Sequence, residues 1–380
     1  MLPRNDDIRW PMQTALLLIL AGLWIQLRTL ARARAMGGEM WLQGDWLINL
    51  AAGPIRRGPM GSAFLWLSDR LGLAPLDAVV IVQAVLSLAL FGGTALLLRR
   101  QNSPASVLAV VSAGFFPLLW GVDPISGLRK ELFGLLALLL LVWPATGPRR
   151  SGLIALSALL LAIGAVGHEA LVLFFPAWLI ALFLLRGDTP ITVLVLSALL
   201  LGLALLGAGG YALMHARLGD ASPLCTAIRQ RGPVSEHFCA GAIGWLADPE
   251  NGPAKVRAAL ARNPALWSLP LAALAAIAPL ARLWWLCGPR DRRGWALIAA
   301  GLPFTLLYPI GLDWGRWLAL QVSVASLLWL GLGARGALRT RGLSAREFVL
   351  WLALALCVGI AHGPVVIPFG FLHGLVRSLI

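Results

Sequence analysis

Read as hydrophobic and polar positions, the chain is a succession of long apolar runs separated by short polar breaks. Bounded by Arg, Pro or Gly, the runs fall at 10–27, 79–98, 106–122, 131–145, 152–167, 170–186, 190–213, 265–286, 295–312, 317–333 and 347–366. Most approach the roughly 20 residues that a helix needs to cross about 30 Å of hydrocarbon. The pattern predicts an all-α, polytopic transmembrane helical bundle of about 11 spans, forming a single integral membrane domain over residues 1–380. One stretch, 152–186, is too long for a single span: as one helix it would reach about 52 Å. Its interruption GAVGHEA (Gly164–Ala170) divides it at His168 and Glu169.

Composition agrees. Hydrophobic residues make up 59% and charged residues only 13%, against about 25% charged in a soluble globular chain. The net charge of +14 therefore reads as arginine at helix ends, near lipid headgroups, and not as nucleic-acid binding. The first run continues into RTLARARAMGGEM and the chain stays apolar beyond it. It reads as the first transmembrane helix rather than a cleaved signal.

Orientation follows from where the basic residues are dense. With the N-terminus in the cytoplasm, the short loops 99–104, 147–150, 186–190, 288–294 and 333–346 lie inside, as the positive-inside tendency requires. Two larger loops, 28–78 and 214–264, lie at the periplasmic face, the first containing a re-entrant or interfacial segment. The same face receives 123–130, the His168–Glu169 turn, 313–316 and the C-terminal end. Taking 152–186 as one span would put two Arg-rich loops outside. The abundance of Arg, Ala, Gly and Pro points to a GC-rich bacterial genome, hence to a multi-pass protein of the bacterial inner membrane. Cys225 and Cys239 share the larger external loop, where an oxidising compartment favours a disulfide. Cys287 and Cys357 are expected to pack.

The charges on that face are the candidate chemistry, since a charge near a bilayer is costly. In GDWLINLAAGPIRRGPMGSAFLWL (44–67), Asp45 stands among apolar residues, where shielding raises a carboxylate toward the range of a general base. Arg56 and Arg57 stand among glycines and prolines, with guanidinium forks suited to phosphate or carboxylate. VDPISGLRKEL (122–132) supplies Asp123, Arg129, Lys130 and Glu131, and LYPIGLDWGRWLALQ (307–321) supplies Asp313, Trp314 and Arg316. Asp313 and Arg316, three apart, can pair across a helix turn. Trp314 suits a membrane interface or a sugar ring. His168 and Glu169 invite a zinc reading that fails, because the second histidine of HExxH would fall at Val172. His362 and His373 read as structural singletons. No nucleotide loop, dinucleotide fingerprint or GxSxG is present, no metal or other cofactor is implied, and no inverted repeat is evident.

An isolated acid in the first external loop after an N-terminal cytoplasmic helix, with many spans and external polar ends, resembles the membrane glycosyltransferases of the GT-C class. The external arginines resemble those of Wzy-type polysaccharide polymerases and O-antigen ligases. The resemblance lies in layout; no DxD-like acid pair and no long soluble C-terminal domain are present. It implies an enzyme that takes sugar from an undecaprenyl-(pyro)phosphate carrier in surface polysaccharide assembly, with a glycan acceptor, membrane lipids and envelope assembly proteins as partners. On it, Asp45 (Glu39 more weakly) is the base or organiser, with Asp313 and Glu169 as further catalytic candidates. It gives Arg56, Arg57, Arg129 and Arg316 the handling of the carrier pyrophosphate; Asp123, Lys130, His168 and Trp314 are further candidates for binding substrate. A secondary transporter or lipid-linked glycan flippase, or a non-catalytic envelope scaffold, are the rival expectations. Charges gathered at one end disfavour transport.

Overall fold

The computed structural model describes residues 6–248, 252–262, 268–287, 292–338, 342–363 and 366–380. The expected loop 288–294 lies mostly outside them, as does part of 333–346. The fold is a helical bundle with one small hairpin. In chain order the helices are α1 (Asp6–Ala35), α2 (Gln43–Trp46), α3 (Gly58–Leu71), α4 (Pro75–Arg99), α5 (Phe116–Val122), α6 (Glu131–Val142), α7 (Gly147–Gly167) and α8 (Phe175–Leu184). They continue with α9 (Ile191–Met214), α10 (Ser222–Arg229), α11 (Gly252–Arg262), α12 (Leu269–Cys287), α13 (Arg292–Gly301), α14 (Trp314–Ala334), α15 (Ala345–Cys357) and α16 (Gly370–Leu379). Strands β1 (Val358–Ile360) and β2 (Val366–Pro368) pair antiparallel, Gly359 opposite Ile367.

Among the described residues six helices are long and apolar enough to cross a membrane: α1 from Trp10, α4, α7, α9, α12 to Leu286, and α14. The other expected runs form shorter apolar pieces, including Glu131–Val142, Glu169–Leu184 and Gly294–Leu307. The centre is α14, 83% of whose most apolar window is buried, whereas α9 buries only 17% of its own. Leu199, Leu200, Leu203 and Leu206 on α9 are exposed. A helix apolar on every side with its leucines outward is what a lipid-facing position demands.

The break in 152–186 is where the sequence places it. α7 stops at Gly167, His168 is extended, and Glu169–Phe174 form a 3-10 turn before α8. Arg150 near the start of α7 donates to Leu141 O and Leu185 O, so the ends of α6 and α8 lie beside the start of α7. The two pieces therefore run antiparallel.

The run 106–122 differs from its expected helix. A 3-10 turn over Pro104–Ala109 gives way to unwound backbone, and only Phe116–Val122 is α-helical. Unwound backbone survives among apolar neighbours only where its polar groups are met. Gly114 N–H donates to Ser112 Oγ at 3.2 Å, and Phe116 N–H donates to Ser323 Oγ at 3.0 Å. The run 295–312 likewise changes from α13 to a 3-10 turn at Leu302–Leu307, which carries Pro303, and 347–366 leaves the helix at Cys357 for the hairpin. Cys357 is exposed rather than packed, and the side chain of Cys287 lies outside the described residues. Cys225 and Cys239 form a disulfide joining α10 to the 3-10 turn Glu236–Cys239.

The segment between α1 and α4 is helical over much of its length. α1 runs to Ala35, α2 carries Asp45, and α3 packs back on residues 47–48, which follow α2. Gly61 marks that approach: a Cβ there would lie 1.8 Å from Ile48 O.

Candidate functional site

The polar breaks converge at one end of the bundle. α2 presents Asp45, the turn before α3 presents Arg56 and Arg57, and the approach to α6 presents Arg129 and Lys130. The break after α7 presents His168 and Glu169, and the start of α14 presents Asp313 and Arg316.

Lys130 is the inner fastening and is fully buried. Its ammonium donates to Asp45 O at 2.7 Å and to Gly167 O at 2.8 Å, and lies 3.2 Å from Asp45 Oδ2. Burial pushes its pKa down to about 8, and the Asp45 carboxylate beside it keeps it charged at neutral pH. Asp45, 1% exposed, also receives Arg57 Nη1 at 2.8 Å. Burial alone would raise this carboxylate, but Lys130 and Arg57 outweigh it and hold the group far below the usual range. The sequence-based expectation of a raised, base-like Asp45 is therefore reversed: an apolar setting was legible, two cations within it were not.

Arg57 is held from both sides. Its Nε and Nη2 donate to Glu169 at 2.9 and 2.7 Å, and Arg56 Nη1 adds a 3.1 Å bond to the same carboxylate. Burial lowers the Arg57 guanidinium, yet Glu169 and Asp45 raise it further. Its backbone sits at φ 67°, a left-handed conformation rare for a side-chain-bearing residue. That strain of about 1–3 kcal/mol persists where surroundings over-determine it, and here the paired carboxylates do so.

His168 sits 3.8 Å from Glu169 Oε2 but is not its ion-pair partner. Its Nδ1 accepts the Ala170 N–H at 3.2 Å, which requires a lone pair on that nitrogen. Burial, with Arg57 nearby, lowers its pKa to about 4, so the ring is neutral.

The second half of the cluster gathers on α14. Arg316 Nη1 lies 2.9 Å from Asp313 Oδ2 and its Nε 3.4 Å from Glu131 Oε1, so the expected pair three apart forms. Arg129 makes no ion pair among the described residues; its Nε reaches Ile125 O at 3.4 Å. Asp313, Arg316, Glu131 and Asp45 all act on it electrostatically. Asp123 accepts Ser126 Oγ at 2.9 Å and the His362 N–H at 2.7 Å, and it meets His362 Nδ1 in a short contact. Trp314 is buried, its indole N–H donating to Tyr308 O and Gly311 O at 2.8 Å each. The ring offered by the sequence for a sugar is 7% exposed.

The structure thus brings Asp45, Arg56, Arg57, Lys130, His168 and Glu169 into one network, and Asp123, Arg129, Asp313 and Arg316 into an adjoining one. Glu131 and His362 join them, though the sequence assigns neither a role in catalysis or substrate binding. Glu131 gave a signal, an acid at a helix start; His362 gave none, because its partner lies 239 positions away. Access from the surface is through Arg56, Glu169, Asp313 and His362, whose side chains are 25%, 26%, 32% and 46% exposed. Two surface cavities, of about 500 and 420 Å³, lie elsewhere, beside Met36 and Pro233 and beside the disulfide. Among the described residues no group of three His, Cys, Asp or Glu side chains is placed to hold a metal ion. No protein-family model, curated protein or solved structure matches the chain.

Proposed function

We propose that this chain is a multi-pass bacterial inner-membrane enzyme, a glycosyltransferase or glycan polymerase that takes sugar from a polyprenyl-(pyro)phosphate carrier. In this reading about eleven apolar segments cross or enter the membrane, the paired-charge end faces the periplasm, and the N-terminus is cytoplasmic. The Arg-rich short loops at the opposite end and the disulfide on the charged side support that orientation.

The observation that carries the reading is the convergence of Arg56, Arg57, Arg129, Lys130 and Arg316, from three separate stretches of chain, at one end of an apolar bundle. Transfer from a lipid phosphate needs cations where charge develops on the leaving group and a membrane-edge position for the prenyl chain. Arg129, without a carboxylate partner, and the surface-reaching Arg56 suit the first need. Glu169 and Asp313 are acceptors for sugar hydroxyls, and Asp45 organises the cations rather than taking a proton.

One observation favours a second reading, a structural fastening. Lys130 is satisfied entirely from within the chain, as a non-catalytic scaffold would require. Mass spectrometry of undecaprenyl-linked glycans separates the two, comparing a deletion strain with strains complemented by wild type or Asp313→Asn. The transfer reading expects an unused lipid-linked intermediate in the deletion, cleared by wild type and retained with Asp313→Asn at normal protein level. Clearance by Asp313→Asn favours the scaffold. Identical profiles in all three strains exclude transfer.

A further inference from the structure

Among the described residues His362 is the imidazole that a buried carboxylate orients. Asp123, whose side chain is only 10% exposed, gathers Ser126 Oγ, the His362 N–H and His362 Nδ1 on one oxygen, Oδ2. A carboxylate so surrounded is ionised: burial raises it, but the His362 contacts and Ser126 lower it below its ordinary value. An ionised carboxylate only accepts hydrogen bonds, so the ring proton sits on Nδ1. Nε2 is left with its lone pair, on a side chain that is 46% exposed.

The backbone fixes where that lone pair lies. Gly315 N–H in the first turn of α14 donates to His362 O at 2.9 Å. A Cβ at Gly315 would lie 1.9 Å from Ala361 O, so only glycine lets the hairpin seat there. His362 is thereby held one residue from Arg316 on α14. The charged groups facing the ring are Asp123 from the end of α5, Asp313 from the start of α14 and Arg129 from the approach to α6. Among the described residues the other surface-reaching acids of the cluster are held by cations, Glu169 by Arg56 and Arg57 and Asp313 by Arg316. Asp45 is buried under two cations, and His168 is buried with its Nδ1 lone pair already engaged.

We propose that His362, positioned by Asp123, accepts the proton of the acceptor hydroxyl, an inference that rests on the transfer reading above. The hydroxyl O–H bond breaks and its proton passes to Nε2. The oxygen bonds to the anomeric carbon of the donor sugar as the bond from that carbon to the carrier phosphate oxygen breaks. The electron pair leaves with the phosphate, whose added charge faces Arg129, and the imidazolium then returns its proton to water. The Asp123 hydrogen bond raises the His362 pKa above 6.5, so the basic form grows as pH rises through a midpoint above that value.

Two measurements on the full chain test this. In the first, purified protein is treated with diethyl pyrocarbonate, which modifies unprotonated imidazole, and labelling of His362 is followed by mass spectrometry against pH. The expected midpoint lies above 6.5 and falls in Asp123→Asn; an unchanged midpoint overturns the dyad. In the second, His362→Gln is compared with wild type and the deletion for lipid-linked glycans. Glutamine keeps the backbone N–H on Asp123, so the hairpin remains seated, while loss of a positioned base slows transfer by about 100-fold or more. The intermediate then accumulates as in the deletion. Clearance by His362→Gln at the wild-type rate overturns the proposal and leaves the transfer reading standing. If deletion and wild type do not differ, the transfer reading itself falls, and this step falls with it.

Discussion

Both ends of the bundle gather basic side chains, and they use them differently. At one end Arg150 reaches Leu141 O and Leu185 O, while Arg335 reaches Val142 O and Trp143 O, the latter at 2.7 Å. These are carbonyls at helix C-termini, which lack intrahelical partners and carry the negative end of the helix dipole. Cations there complete the fold. At the other end Arg57 and Arg316 face carboxylates instead, and Lys130 adds the Asp45 carboxylate to two carbonyls. Folding does not require such pairs, since apolar replacements of buried ion pairs are often neutral or stabilising. A basic residue in an apolar chain is thus informative only once its partner is known.

The largest effect should come from leaving one buried charge alone. Lys130→Met strands the Asp45 carboxylate beside Arg57 only, and should destabilise by about 3–5 kcal/mol, with part recovered in the double variant carrying Asp45→Asn. Thermal unfolding in detergent reads both, and a Lys130→Met melt indistinguishable from wild type would break the contrast between the ends.

Acid should separate the ends next. Asp45 is depressed in the folded chain, so its contribution is complete above the ordinary Asp range and withdrawn as pH falls below about 4. The arginine-to-carbonyl contacts contain no carboxylate and should not respond. The penalty of Lys130→Met should therefore shrink between pH 5 and 3, and that of Arg150→Gln should stay constant.

Arg150→Gln itself should cost about 1–3 kcal/mol, because buried carbonyls lose their donors. The smallest effect belongs to Arg34→Ala. Its pair with Asp77 at 2.6 Å is exposed to solvent, and surface pairs contribute little. Its melt should match wild type, which would assign the effects to burial and not merely to the presence of opposite charges.

Much of the fold was legible because apolar runs and their breaks follow directly from the chemistry of a bilayer. The split at His168 was readable from GAVGHEA. The unwinding of residues 110–115 was not, since the Ser323 hydroxyl that meets the Phe116 N–H lies 207 positions away. Asp45, Arg56, Arg57, Lys130 and Glu169 were legible as costly charges in apolar surroundings. Their pairing was not, because Lys130 and Asp45 lie 85 positions apart and Arg56 and Glu169 lie 113 apart. That missing information reverses the protonation expected of Asp45 and hides the pairing of His362 with Asp123.

The central claim is that the paired-charge end serves a lipid-phosphate substrate, and Arg129 tests it most directly. It lies in the cluster but holds no carboxylate, so Arg129→Gln strands no buried anion and leaves the ion pairs intact. The measurement is the undecaprenyl-linked glycan profile of a deletion strain complemented by Arg129→Gln, with thermal unfolding of the purified variant beside it. The account predicts a wild-type melt together with accumulation of the lipid-linked intermediate. A wild-type melt with full clearance of the intermediate would contradict it.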